Sequence, residues 1–143
     1  MSWTILVQMW KLMRDLQDET LPELERLGLA PNDPWLLAGV DRYHYPTEVV
    51  RLTQMPAPTV SQMLKRLEAE GLLLRSLDPS DLRRYRFELT PRGREALEQS
   101  RAHMTGAMER RLERLEPQQR RQLRELLEIL TGNTDPLTPE EPS

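Results

Sequence analysis

The chain has 143 residues, of which 38% are hydrophobic and 30% are charged, and its formal net charge is −3 at pH 7. This length suits one domain with a sizeable buried core, and these proportions of hydrophobic and charged residues are typical of a globular protein. The absence of cysteine excludes disulfides, thiolate nucleophiles and thiolate metal ligands. No apolar run approaches the roughly 20 residues that cross a bilayer. Residues 1–10 lack the pattern of a signal peptide, so we expect a cytoplasmic protein.

Positive charge is concentrated in the middle of the chain. Residues 51–94 contain nine basic residues and five acids, a net charge of +4. Since the whole chain carries −3, the remainder carries −7. A basic segment within an acidic protein predicts a directed electrostatic surface.

The first predicted element is a long helix over residues 3–27. Apolar side chains recur at 3, 6, 10 and 13 and at 5, 9, 12 and 16, which are two adjacent stripes at helical spacing. So wide an apolar face predicts neighbours on more than one side. Gly28 supplies a stop, and Asn32-Asp33-Pro34 predicts a second helix with a side-chain cap and a proline in its first turn.

Two further helices follow with a short turn between them. Pro46-Thr47-Glu48 opens the first, and the second begins near Pro58 and runs to Gly71. The apolar residues of the second helix have helical spacing and define its buried face: Val60, Met63, Leu64 and Leu67. Two helices joined in this way predict a helix-turn-helix.

Residues 72–89 predict a β-hairpin. Residues 72–77 are an apolar run around Arg75, and residues 85–89 alternate apolar with charged side chains, as in a half-buried strand. Asp78-Pro79-Ser80-Asp81 has the composition of a turn. Thr90 then caps a helix whose first position is Pro91. The predicted fold class is therefore mainly α with a small β-hairpin wing (α+β), a winged helix-turn-helix.

The wing tip is rich in arginine, and its position predicts a function. A narrow A·T-rich minor groove attracts guanidinium groups, so Arg83 and Arg84 suit insertion into DNA. The alternative is a hairpin tip that is charged only because it is solvated.

Residues 46–93 resemble the DNA-binding core of the MarR (multiple antibiotic resistance regulator) family of bacterial transcription factors, and the flanking helices also suit that family. The specific matches are Thr59-Val60-Ser61, Arg66-Leu67-Glu68 with Gly71-Leu72 and Arg75, Asp81 and Arg83 in a D-x-R wing, and Leu89-Thr90 with Gly93. The resemblance implies that Asp81 braces Arg83 in the minor groove. Leu82 departs from the family, where a second basic residue is common, so one backbone contact is either absent or taken over by Arg84.

The polar face of the recognition helix supplies the other candidates. Gln62 can pair with adenine, Lys65 can donate to guanine or to phosphate, and Arg66 can contact phosphate. The hydroxyls of Thr59 and Ser61, near the helix start, can contact either bases or phosphate. For each position the alternative is a solvated side chain, and Arg75 within the strand is an alternative structural residue. The predicted DNA-binding set is Thr59, Ser61, Gln62, Lys65, Arg66, Asp81, Arg83 and Arg84.

The ends of the chain predict self-association. Residues 94–131 carry an apolar stripe with a break at Pro117. This stripe and that of the first helix predict a homodimer, as the resemblance also implies; the alternative is packing against the chain's own winged core. We expect one domain over residues 1–132, with residues 30–93 as the DNA-binding core and 1–28 and 94–131 as dimerisation helices. Residues 133–143 are expected to be a disordered tail.

No catalytic or metal-binding pattern is visible around His44 and His103, so we expect neither an enzyme nor a cofactor or metal. The sequence predicts a transcriptional regulator of double-stranded DNA; the alternative is a winged-helix interaction module without specific DNA binding. The resemblance implies a ligand-responsive repressor with a pseudo-palindromic operator and a small apolar or aromatic effector.

An effector would bind in a crevice between the dimer helices and the winged core. The candidate residues, each of which is alternatively a core residue, are Trp10, Met13, Trp35, Tyr43, His44 and Tyr45.

Overall fold

The computed structural model describes residues 1–132 and Leu137. Within this part the chain forms six helices and a two-stranded antiparallel hairpin. The elements in chain order are α1 (Ser2–Arg26), α2 (Asp33–Tyr43), α3 (Pro46–Thr53), α4 (Ala57–Ala69), β1 (Leu73–Asp78), β2 (Asp81–Leu89), α5 (Pro91–Leu112) and α6 (Pro117–Thr131). The predicted fold class is confirmed. The predicted tail lies outside the described residues, apart from Leu137.

The described residues divide into two compact units. The winged unit is Asn32–Gln99, and the helical unit combines Met1–Pro31 with the chain from Ser100 through α6. The winged unit therefore continues into the first turns of α5, whereas the predicted core ended at Gly93.

The core of the winged unit is built around α2. Leu36, Leu37 and Val40 of this helix are fully buried. The inner faces of the following elements join them with Val49, Val60, Leu64, Leu67 and Phe87, all buried. The predicted inner face of α4 is thus confirmed, with Met63 half-buried at its edge.

The hairpin is packed at its base and exposed towards its tip. Leu73 pairs with Leu89 at the base, and Leu77 pairs with Tyr85 just before an irregularity at the turn. Leu73 and the neighbouring Phe87 are buried, whereas Leu77 and Tyr85 are exposed. A two-stranded ribbon has little stability of its own, so the orientation of the outer half depends on contacts with other elements.

The two predicted helix caps have different outcomes. The Thr90 hydroxyl accepts the Gly93 N–H at 3.0 Å and donates to the Gly71 carbonyl at 2.6 Å, which confirms the cap of α5. The predicted side-chain cap at Asn32 is wrong, because Asn32 makes no such hydrogen bond. Its backbone is already helical, at φ −94 and ψ −5, whereas a capping residue needs an extended backbone to aim its side chain at the first N–H groups.

An ion-pair cluster links α1 to α5 in the helical unit. Glu19 accepts hydrogen bonds from Arg110 at 2.8 Å and from Arg111 at 2.6 Å. These two guanidinium groups lower the pKa of the Glu19 carboxyl. The helical unit also exposes large apolar side chains: Trp3, Leu6, Met9, Trp10 and Met13 on α1, and Leu126, Leu127, Ile129 and Leu130 on α6. None of the described helices is both long and apolar enough to cross a membrane.

A close backbone approach joins the start of α5 to the start of the hairpin, and it predicts the effect of a methyl group. A Cβ atom at Gly93 would lie 2.0 Å from the Leu72 carbonyl oxygen. Gly93→Ala should therefore lower the free energy of unfolding by about 1 to 3 kcal/mol, the usual cost of forcing extra atoms into a packed region.

Gly106→Ala is the matched control in the same helix. Its Cβ would meet only the Arg110 guanidinium, at an ordinary contact distance of 3.6 Å. This variant should be neutral or more stable by up to about 1 kcal/mol, since alanine favours helix over glycine. Urea denaturation compares the two, and equal stabilities would contradict the close approach at Gly93.

Candidate nucleic-acid interface

The outer face of α4 is a continuous polar surface. Thr59, Ser61, Gln62 and Lys65 are all exposed, on the side opposite the buried Val60, Leu64 and Leu67. Pro58 lies in the first turn, and no side chain caps the helix start. The first N–H groups and the positive end of the helix dipole are therefore available to an anion such as phosphate. The surface offers hydrogen-bond donors and acceptors at its centre and positive charge at Lys65.

Arg66 has a role that the sequence did not indicate. Its guanidinium donates to both carboxylate oxygens of Asp33, at 3.1 and 2.5 Å, and lies 3.5 Å from Glu70. Asp33 is fully buried, and its hydrogen bond raises the pKa of the Arg66 guanidinium. Arg66 is therefore paired with the start of α2 and helps to hold α4 against it. Any phosphate contact by Arg66 stays a prediction.

At the wing tip, the two residues of the predicted brace are in contact. One carboxylate oxygen of Asp81 accepts both the backbone N–H of Arg83, at 3.1 Å, and its side-chain Nε–H, at 3.2 Å. The Arg83 side chain is nevertheless 92% exposed. Because the carboxylate bonds only the Nε edge, the terminal nitrogens of the guanidinium have no partner among the described residues. Arg83 is thus oriented by the protein and free to contact a ligand.

The other wing arginines are engaged within the hairpin or with its neighbours. The Arg84 guanidinium lies 4.1 Å from the centre of the Tyr45 ring. A contact of Arg84 with the DNA backbone stays a prediction, and it would compete with this stacking. Arg75 stacks on Tyr85 at 4.4 Å and pairs with Glu68 at 3.4 Å. Arg75 therefore fits its structural interpretation.

The turn of the hairpin is organised by a buried carboxylate. Asp78 accepts hydrogen bonds from the Ser80 N–H at 2.9 Å, from the Ser80 hydroxyl at 2.7 Å and from the Tyr45 hydroxyl at 3.0 Å. These donors lower the pKa of the Asp78 carboxyl, Ser80 contributing most. The same bond to Asp78 is the main reason that the pKa of Tyr45 is raised. The turn at Asp78 was predicted, whereas the contacts of Asp78 with Tyr45 and of Asp33 with Arg66 were not.

The predicted effector residues divide between the two units. Trp10 and Met13 are exposed on α1 of the helical unit, and Trp35 is exposed in the first turn of α2. Tyr43, His44 and Tyr45 lie together at the end of α2 and are half-buried. The crevice that would join these groups stays a prediction.

Solved structures similar to this chain support the MarR resemblance. No protein-family model and no curated protein matches the chain. A MarR-family regulator from Silicibacter pomeroyi is 25% identical with a TM-score of 0.71, covering 86% of this chain and 84% of its own. BpsR of Bordetella bronchiseptica, whose DNA binding is regulated by 6-hydroxynicotinic acid, is 23% identical with a TM-score of 0.78, covering 94% and 95%. A mutant of S. aureus MepR bound to an oligodeoxyribonucleotide is 20% identical with a TM-score of 0.61, covering 92% and 98%. The chain has the fold of the MarR-family transcriptional regulators, as its motifs predicted.

The contact between Arg66 and Asp33 predicts different outcomes for two adjacent cations of α4. Arg66→Ala takes the bidentate partner from a buried carboxylate and should lower the free energy of unfolding by about 2 to 3 kcal/mol, less than for a fully buried pair because Arg66 is partly exposed. Lys65→Ala removes the same charge from the outer face and should change stability by less than about 0.5 kcal/mol. Chemical denaturation measures both, and equal losses would contradict the supporting role of Arg66.

Proposed function

We propose that this protein is a sequence-specific DNA-binding transcriptional regulator that binds a pseudo-palindromic operator as a homodimer. The observation that carries the proposal is the exposed Arg83, braced by Asp81, in the same unit as the polar face of α4. Two proteins of similar structure bind DNA: a MepR mutant is bound to an oligodeoxyribonucleotide in its structure, and the DNA binding of BpsR is regulated by 6-hydroxynicotinic acid. In this proposal α4 contacts base edges in the major groove and the wing contacts the minor groove.

The distribution of charge in the winged unit supports this assignment. Several arginines of the basic segment pair with carboxylates, which offsets part of their charge: Arg66, Arg75, Arg83, Arg86 and Arg94. Other cations of the segment form no ion pair in the described part of the chain: Arg51, Lys65 and Arg92. Lys65 belongs to the outer face of α4, which is proposed to contact DNA. Phosphate attraction acts through such cations.

The interaction-module alternative explains less of this surface. A protein-binding winged helix has no need for an outer face of α4 made of hydroxyl, amide and ammonium groups, nor for an oriented arginine at the wing tip. Similar structures are transcriptional regulators rather than enzymes, which favours a non-catalytic role.

Self-association is proposed from the apolar surface of the helical unit. Large exposed side chains follow one another along the first half of α1 and the second half of α6. Contiguous apolar patches of this kind mark interaction sites in soluble proteins. A second copy of the chain covers them with two-fold symmetry and supplies the second recognition helix for a palindromic site.

We predict that light scattering at micromolar concentration gives twice the chain mass of 16.8 kDa. Trp10→Glu places a charge in the proposed interface and should shift the protein towards the monomer. Leu74→Glu is a matched control, because Leu74 is equally an exposed apolar residue but lies on β1 of the winged unit. A monomeric wild type, or equal effects of both variants, would overturn the proposed dimer.

Regulation by a small molecule is a further part of the proposal. Because the chain has no cysteine, thiol oxidation is excluded as its signal. BpsR offers a similar fold that responds to an aromatic acid. We propose a cytoplasmic repressor whose DNA affinity falls when an apolar or aromatic effector binds.

The brace at the wing tip predicts the sign of a mutational effect on DNA affinity. Arg83→Ala should weaken operator binding by about 1 to 3 kcal/mol, mainly on A·T-rich flanks. Asp81→Ala removes an acid close to DNA, so charge alone would tighten binding. If Asp81 orients Arg83, binding weakens instead.

Glu88→Ala is the matched control on the same strand. It removes one negative charge and releases Arg86, to which Glu88 is paired at 3.1 Å, so binding should tighten. Fluorescence anisotropy titrations on an operator selected from genomic fragments measure all three variants. Tighter binding by both Asp81→Ala and Glu88→Ala, with intact circular dichroism, would refute the brace.

A further inference from the structure

The loop between α2 and α3 is bound to the edge of β2 that faces away from β1. The Phe87 N–H donates to the His44 carbonyl at 2.8 Å. The His44 Nδ1 lies 3.0 Å from the Phe87 carbonyl oxygen, and it donates because a carbonyl only accepts. The loop therefore joins the hairpin like a short third strand.

His44 fixes the direction in which the chain leaves α2. Its backbone is left-handed, at φ 64, which is uncommon for a residue other than glycine. Its N–H is bonded to the Val40 carbonyl at 3.0 Å, and its ring and carbonyl are both bonded to Phe87. These contacts hold the unusual conformation and deliver Tyr45 to the side of the wing.

Tyr45 contacts both strands of the wing, on either side of the turn. Its hydroxyl donates to Asp78, the last residue of β1, at 3.0 Å. Its ring lies beneath the guanidinium of Arg84 in β2, with 4.1 Å between the guanidinium carbon and the ring centre. Asp78 already accepts two bonds from Ser80, so the Tyr45 hydroxyl adds a bond between separate elements.

We propose that Tyr45 is a positioning residue that sets the angle of the wing, so that Arg83 reaches DNA from a fixed direction. Tyr45, Asp78 and Arg84 together form what we call the wing latch. This inference rests on the proposed DNA-binding function and assigns Arg84 to the latch instead of to a DNA backbone contact. The bond to Asp78 is charge-assisted and the ring contact is a cation–π interaction, so both are directional.

The need for a latch follows from the packing of the hairpin. Leu77 and Tyr85, which pair next to the irregularity at the turn, are both exposed, so the apolar core does not hold this part of the ribbon. Asp81 orients Arg83 only relative to the tip. The latch orients the tip relative to α2, and through α2 relative to α4.

Tyr45→Phe tests the latch because it keeps the ring under Arg84 and removes only the bond to Asp78. Tyr43→Phe is the matched control, since the Tyr43 hydroxyl bonds no residue in the described part of the chain. Without DNA, hydrogen exchange at the Ser80 and Arg83 amides should accelerate severalfold in Tyr45→Phe and stay at the wild-type rate in Tyr43→Phe. Unchanged exchange in Tyr45→Phe would overturn the latch, whatever the protein binds.

DNA binding then tests whether the latch acts through Arg83. Tyr45→Phe should bind the selected operator on the order of 5-fold more weakly than wild type, which corresponds to one lost hydrogen bond. In an Arg83→Ala background the same substitution should have no effect, because there is no guanidinium left to position. Equal losses in both backgrounds, or no loss in either, would overturn the positioning role. A wild type that selects no DNA at all would instead overturn the proposed function, while the exchange rates would still report on the latch.

Discussion

The packing of α4, the proposed recognition helix, against α2 depends on the pairing of one buried carboxylate. Asp33 lies at the start of α2 with no exposed surface, and a buried charge is stable only when it is paired and hydrogen-bonded. Arg66 on α4 supplies a bidentate partner with directional geometry. Together with the burial of Val60, Leu64 and Leu67, this pair keeps Gln62 and Lys65 on the solvent side of α4.

The wing is a less stable element than α4, and it is also held in place by contacts with other elements. Its base is held by burial of Leu73 and Phe87 and by the close approach of Gly93 to Leu72. Its outer half has no core, and the contacts of Tyr45 take that role. The two elements proposed to contact DNA, helix α4 and the hairpin, are thus both positioned relative to α2. A site on rigid supports reads sequence more accurately than one on a free loop.

Much of this arrangement could be predicted from the sequence, because it depends on local patterns. Helical spacing indicated the buried face of α4, period-two alternation indicated β2, and Thr90-Pro91 indicated the start of α5. The cap at Asn32 failed because residue type does not fix the backbone angles on which capping depends. The partners of Arg66 and Tyr45 were missed because each lies 33 positions away along the chain, and periodicity carries no information about such contacts. Arg84 illustrates the same limit, since an arginine at a hairpin tip has the same sequence signature whether it stacks on a ring or faces solvent.

The winged unit is proposed to bind DNA specifically, through ion pairs with phosphate and contacts with bases. The most direct test is the affinity of the wild-type chain for its selected operator and for a scrambled duplex, measured over a range of salt concentrations. On our account affinity falls steeply with salt on both duplexes, because cations on the protein displace counterions, and the operator is bound on the order of 1,000-fold or more tightly. Equal affinity for both duplexes, or binding that does not change with salt, would contradict the account.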